Sequence, residues 1–277
     1  MSAGPASDEF IAAGEATLRV RHRSGHGLPV FWLHEFGGTV ESWSALWDLL
    51  PQAGPFVAHD LRGCGLSMKL RGRPTVQVHL DDLAFLIDRY AGSQPVALAG
   101  CALGAAVALG MAAARPGQVV GVIAMAPALG VTPEVAAALH ARADRQEHAG
   151  MHEALEASMR ASWPEALREP RATYEAYVAR WLGNDPGSFA AGLRLIAGLD
   201  PLPWLPGVRC PVAVVAGTLD ANRSPQEIER RLAGLPRVSH TVVEAGHFMT
   251  LQAPERLAPV VAAALASFEP PPDPSRP

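Results

Sequence analysis

Residues 96–106 read VALAGCALGAA. The apolar run Val96-Ala97-Leu98-Ala99 stops at Gly100-Cys101-Ala102-Leu103-Gly104, and the small residues Ala105-Ala106-Val107-Ala108-Leu109 follow. A buried strand, a sharp glycine turn and a close-packed helix suit this order. The two glycines stand two residues either side of position 102. That is the spacing of the G-x-S-x-G turn, which lifts a strained side chain above a parallel sheet. The central residue is Ala102 instead of serine, so any reading of function has to explain a methyl group there.

The rest of the chain repeats the alternation. Strands are expected over 17–22, 30–33, 56–59, 96–99, 119–125, 212–216 and 239–243. Most are apolar throughout instead of alternating, as parallel strands covered on both faces should be. Helical patterns lie at 42–50, 78–91, 102–115, 225–233 and 254–268, with Pro116-Gly117 stopping the third. A βα series of this kind predicts an α/β fold with a doubly wound, mostly parallel sheet. Residues 131–199 break the series. They hold amphipathic helical segments punctuated by Pro133, Pro164, Pro170 and Pro186 and no convincing strand. The expected organisation is a core of 8–130 and 200–268, a helical insertion over 131–199 above the carboxyl edge of the sheet, and loose ends at 1–7 and 269–277.

Composition removes several classes of function. Hydrophobic residues make up 49% and charged residues 18% of the 277, which suits a buried core. The net charge is −4 and no Lys/Arg block stands out, so neither nucleic acid nor an anionic membrane is an expected partner. The first residues carry Asp8, Glu9 and Glu15, which argues against a signal peptide, and no apolar run approaches the ~18 residues of a membrane span. Cys64, Cys101 and Cys210 are few and widely separated, a reducing-compartment pattern, and a cytoplasmic location is expected. The histidines show no metal-ligand spacing, so no metal and no cofactor are expected.

Four further motifs fall in order around the glycine turn: Leu33-His34-Glu35-Phe36-Gly37-Gly38, Asp60-Leu61-Arg62-Gly63-Cys64-Gly65-Leu66-Ser67, Gly217-Thr218-Leu219-Asp220, and Glu244-Ala245-Gly246-His247-Phe248. With these, residues 15–268 resemble an α/β-hydrolase-fold protein with a helical cap. The group contains enol-lactone hydrolases, small esterases and carbon–carbon bond hydrolases. The resemblance implies that Asp220 orients His247, 27 residues later, and that the other ring nitrogen faces position 102. It implies oxyanion donors in the amides of Phe36 and Leu103. The alternative acid position, Ala126-Pro127-Ala128, offers no carboxylate.

Other residues in these motifs carry weaker expectations. Substrate contacts are expected from His34, Glu35, Trp163 and Trp181, with His34 also holding its loop. Glu35 stands where glycine is common and is read as a hydrogen-bond acceptor behind the loop, with a solvent-facing side chain as the alternative. Asp60 and Arg62 are expected to pair, and Ser67 to be structural. The aromatics Trp163, Tyr174, Tyr177, Trp181 and Phe189 either line an apolar pocket or form the insertion's own core, and packing is the favoured role for each. Cys101 is an alternative thiol nucleophile. Centred on it, however, the flanking positions would be Ala99 and Leu103 instead of two glycines, and a buried hydrophobe is the expected role.

Three explanations fit Ala102. The chain is a disabled variant of a Ser-His-Asp hydrolase acting on a small ester or lactone, strongly impaired as written. Or it is a homologue that keeps only the His-Asp pair and works without a covalent step. Or it is a non-catalytic ligand-binding module on the same fold. The expected partner is a small-molecule substrate, and a homodimer stays open.

Overall fold

The computed structural model describes residues 6–50 and 54–268. Eight strands form one sheet in the order β1-β2-β4-β3-β5-β6-β7-β8. β1 (Ser7–Ala13) and β2 (Ala16–Arg23) make an antiparallel hairpin, and β2 runs antiparallel to β4 (Phe56–His59). From β4 across the sheet every neighbour is parallel: β3 (Val30–Leu33), β5 (Val96–Cys101), β6 (Val119–Met125), β7 (Val212–Gly217) and β8 (Val238–Val243).

The apolar character of the central strands follows from burial on both faces. Val96 and Leu98 of β5 join one core with α2 (Gln77–Tyr90), α3 (Leu103–Ala114) and α8 (Pro225–Leu232). Ala97 and Ala99 of the same strand join a second core, with α1 (Ser44–Asp48), α9 (Met249–Gln252) and α10 (Pro254–Ser267). Every residue of α3 from Leu103 to Ala112 is buried, which its small side chains permit. A Cβ on Gly104 would lie 2.1 Å from the Leu33 carbonyl oxygen, and one on Gly100 would lie 2.4 Å from the Gly104 carbonyl group. Those contacts are why the turn carries glycine at both positions.

Between β6 and β7 the chain is helical, with α4 (Pro133–Ala149), α5 (Leu155–Ser162), α6 (Arg171–Leu182) and α7 (Pro186–Ala197) and no strand. Their aromatic cluster of Trp163, Tyr177, Trp181 and Phe189 closes against Phe248 and Leu251 from the sheet side.

Two local expectations are corrected. β1 was not anticipated, and Ser7, read with the loose terminus, pairs with His22. Only Ile11 and Ala13 of this edge strand are buried, so its apolar signal is faint. The helix expected over 42–50 is a 3₁₀ turn, Val40–Trp43, running into the short α1. Residues 1–5 and 269–277 of the expected loose ends lie outside the described residues.

The strand order reverses between β3 and β5, adjacent in the sheet but separated in the chain by β4. The loops leaving their carboxyl ends diverge there and open a crevice, the usual ligand position in doubly wound sheets.

Candidate active site

Ala102 joins β5 to α3 with φ 51° and ψ −110°. A non-glycine residue at positive φ stays there only when its surroundings over-determine it. Here the Ala102 N–H donates to Met125 O at 2.9 Å, and its carbonyl accepts from the N–H groups of Ala106 (3.2 Å) and Ala128 (3.0 Å). The methyl group borders a cavity of about 440 Å³. Cys101, one residue earlier, is fully buried, with Sγ 3.7 Å from the His247 carbonyl oxygen. Burial pushes its thiol well above its ordinary value, and the charges of Glu35 and Asp220 act in the same direction. A neutral thiol outside the cavity does not suit a nucleophile.

Asp220 follows β7, and its carboxylate is completely buried. Oδ1 accepts from the N–H groups of Asn222 (2.8 Å) and Arg223 (3.1 Å), and this turn aims Oδ2 at His247 Nδ1, 2.8 Å away. With Nδ1 donating to the carboxylate, Nε2 is the ring nitrogen left without a hydrogen-bond partner among the described residues. The imidazole is 15% exposed and borders the cavity. The His247 N–H donates to Ser162 O at 3.0 Å, and the same oxygen accepts from Gln252 Nε2 at 2.9 Å.

The loop after β3 turns tightly, with Gly38 N–H donating to Glu35 O at 2.9 Å. His34 holds it from behind. Nδ1 donates to Glu35 O (2.7 Å) and Nε2 accepts the Leu61 N–H (2.8 Å), so both ring nitrogens are used. Glu35 is completely buried, and its Oε1 accepts from Ser42 Oγ at 2.8 Å. A Cβ on Gly38 would lie 2.2 Å from that oxygen, so the carboxylate fills the space beneath its own turn. Phe36 and Leu103 both border the cavity, and their N–H groups have no acceptor among the described residues.

Of the four expected substrate contacts, Trp181 lines the cavity. His34 and Glu35 do not, because each is spent behind the loop. Trp163 does not either. It is 1% exposed, donates from Nε1 to Leu167 O at 2.7 Å, and packs against Tyr174, Tyr177 and Phe248. Tyr174 and Tyr177 stay in that cluster, whereas Phe189 also reaches the cavity.

Asp60 and Arg62 do not pair. Asp60 accepts from the N–H groups of Val40 and Leu66, both at 2.8 Å, while Arg62 bonds Asp82 on α2, Nε to Oδ2 at 3.0 Å. Ser67 is structural, donating to Asp60 O (2.6 Å) and accepting the Arg19 N–H (2.9 Å).

Sequence reasoning passed over polar residues that border the cavity, among them Arg142, Ser158, Asn222 and Arg223. No motif marks the first two. The last two follow Asp220 within three residues, which could have drawn notice. Among the described residues no group of three or more His, Cys, Asp or Glu side chains is arranged to hold a metal ion, and no helix is long and apolar enough to cross a membrane.

Comparison with known proteins agrees with this fold. The chain is similar over 96% of its length to 99% of a thermophilic esterase from Thermogutta terrifontis in its malate-bound structure, at 25% identity and a TM-score of 0.84. It is similar over 94% of its length to all of the enol-lactonase from Burkholderia xenovorans LB400, at 20% identity and a TM-score of 0.86. Against E-2-(acetamidomethylene)succinate hydrolase it covers 95% of its own length and 100% of that chain, at 24% identity and a TM-score of 0.71. No curated protein matches in sequence. The family model described as "Alpha/beta hydrolase family" matches residues 25–260, and the chain belongs to that family.

Proposed function

We propose that this protein is a hydrolase of a small carbonyl compound, a carboxylic ester or a lactone, built on the Ser-His-Asp plan with Ala102 at the nucleophile position. The observation that carries the reading is the 2.8 Å contact between Asp220 and His247 beside that residue. The 25% identity to an esterase supports the substrate class. Helices α4–α7 act as a cap over the site.

Without a serine oxygen, water takes the nucleophile's part. His247 Nε2 accepts a proton as the water oxygen bonds to the carbonyl carbon. The N–H groups of Phe36 and Leu103 stabilise the oxyanion, the latter at the positive end of α3. Asp220 stabilises the imidazolium, which returns its proton to the departing oxygen as the carbonyl re-forms. Loss of the serine from such a triad costs on the order of 10⁶ in turnover, roughly 8 kcal/mol. A rate on the order of 10³ over water survives through the oxyanion hole and binding. The chain as written is therefore slow.

A second reading, a ligand-binding module, is favoured by one observation: the methyl of Ala102 and the rings of Trp181 and Phe189 make an apolar cavity wall. Ala102→Ser separates the two. It should create hydrolysis of p-nitrophenyl acetate and covalent labelling by a serine-directed phosphonate. A folded serine form that gives neither would overturn the hydrolase reading and leave the binding module.

A further inference from the structure

Two guanidinium groups border the cavity that holds Ala102 and His247, and no acidic side chain borders it among the described residues. Arg142 projects from α4. It makes one hydrogen bond, from Nη2 to Ser158 Oγ at 2.7 Å, and its Nε is buried without an acceptor. Its guanidinium carbon stands 5.8 Å from the centre of the Phe189 ring. Arg223 is held by backbone oxygens alone, Nη1 on Asn222 O and Nη2 on Gly130 O, both at 3.0 Å.

Neighbouring cations are treated differently. Arg145 pairs with Glu153 at 3.4 Å, Arg194 with Asp144 and Glu147 at 2.7 Å, and Arg231 with Glu227 at 3.2 Å. These three arginines have carboxylate partners, whereas Arg142 and Arg223 at the cavity have no ion pair among the described residues. Burial pulls both Arg142 and Arg223 below the ordinary arginine value, the direction of a cation whose lost hydration is not made good.

A guanidinium offers five N–H donors and costs free energy when it is desolvated without an anion. The anion it suits best is a carboxylate, bound through paired hydrogen bonds. We propose that Arg142, with Arg223 as a second positive group, binds a free carboxylate on the substrate. The substrate class is then an acid ester or a carboxylated lactone, with its reacting carbonyl at Ala102 and its carboxylate under α4. This assignment rests on the proposed function only in taking the same cavity as the substrate site. Ser158, bonded to Nη2, sets the guanidinium's orientation.

The competing role for Arg142 is structural, its stem packed against Phe189. That role affects stability and leaves the choice between charged and neutral ligands untouched. Calorimetric titration of the unaltered chain with monomethyl succinate and with dimethyl succinate measures the choice directly. The half-ester should bind about tenfold or more tightly than the diester. Arg142→Gln should bring the two within about twofold, and Arg142→Lys, which keeps charge but not the fork, should retain part of the preference. Arg145→Gln on the same helix should leave it unchanged. Equal affinities in the unaltered chain, or a preference that persists in folded Arg142→Gln, overturn the assignment.

A second arm separates this from the hydrolase reading. In Ala102→Ser, p-nitrophenyl hydrogen succinate should be preferred to p-nitrophenyl acetate in kcat/KM, and Arg142→Gln should remove the preference. Turnover of both esters at a ratio insensitive to Arg142 defeats the carboxylate assignment and keeps the hydrolase. No turnover of either, with an Arg142-dependent preference in binding, does the reverse.

Discussion

The cavity has two walls that are built in different ways. On the sheet side the atoms at the cavity are positioned by backbone. Ala102 stands where β5 ends and Asp220 just beyond β7, each held by main-chain hydrogen bonds, and the Leu103 amide follows Ala102 directly. Gly100 and Gly104 have no room for a Cβ. On the helical side the groups that face the cavity, Arg142, Trp181 and Phe189, are there because of how α4, α6 and α7 pack on one another and on Phe248. One wall is specified locally and the other by tertiary contacts.

The largest expected difference between the walls is in rate. In the Ala102→Ser background, His247→Ala should lower kcat by about four to six decades while affinity for a non-reactive ester stays within about tenfold. Stopped-flow and equilibrium binding on the same preparation measure both quantities. A loss confined to affinity would remove the distinction between a chemical wall and a binding wall.

Next comes stability. Gly104→Ala drives a methyl group into the Leu33 carbonyl and should cost at least about 4 kcal/mol in urea unfolding. Gly198→Ala at the end of α7, where the nearest atom to a Cβ is 3.8 Å away, should stay within about 0.5 kcal/mol. Similar costs at the two sites would contradict the difference in construction.

The smallest effect is on pH dependence. Burial holds His59, at the end of β4, and His79, on α2, at about 3. The unfolded chain takes up those protons near pH 6.5. Their contribution is therefore complete above about pH 6.5 and is lost as the pH falls towards 3. Between pH 6.5 and 5 the loss is about 2 kcal/mol per histidine. Urea midpoints at pH 7 and pH 5 should show it, and His79→Gln should flatten the slope by about one proton.

The same division governs how much could be read from sequence. The five parallel strands β3 to β7 and the turn at Ala102 were legible because burial on both faces writes largely apolar runs, and because glycine is the one residue the tight approach admits. The contact between Asp220 and His247 was legible through the family resemblance and its chain order. The edge strand β1 was not, since one polar face leaves little pattern. The errors cluster where side chains choose partners across the fold. Asp60 turned out to hold two backbone amides instead of Arg62, and Trp163 sank into its own cluster. Glu35 was half legible: its role as an acceptor behind the loop was readable, its absence from the cavity was not. Arg142 left no local trace, because nothing within a turn of α4 distinguishes it from Arg145.

The hydrogen bond from the His247 N–H to the Ser162 carbonyl ties His247 to the last residue of α5. Gly246 leaves no slack in that tie, since a Cβ there would already meet Pro164 at 2.8 Å. The position of α5 and the position of the His247 main chain are therefore coupled, and a displacement of one is felt at the other.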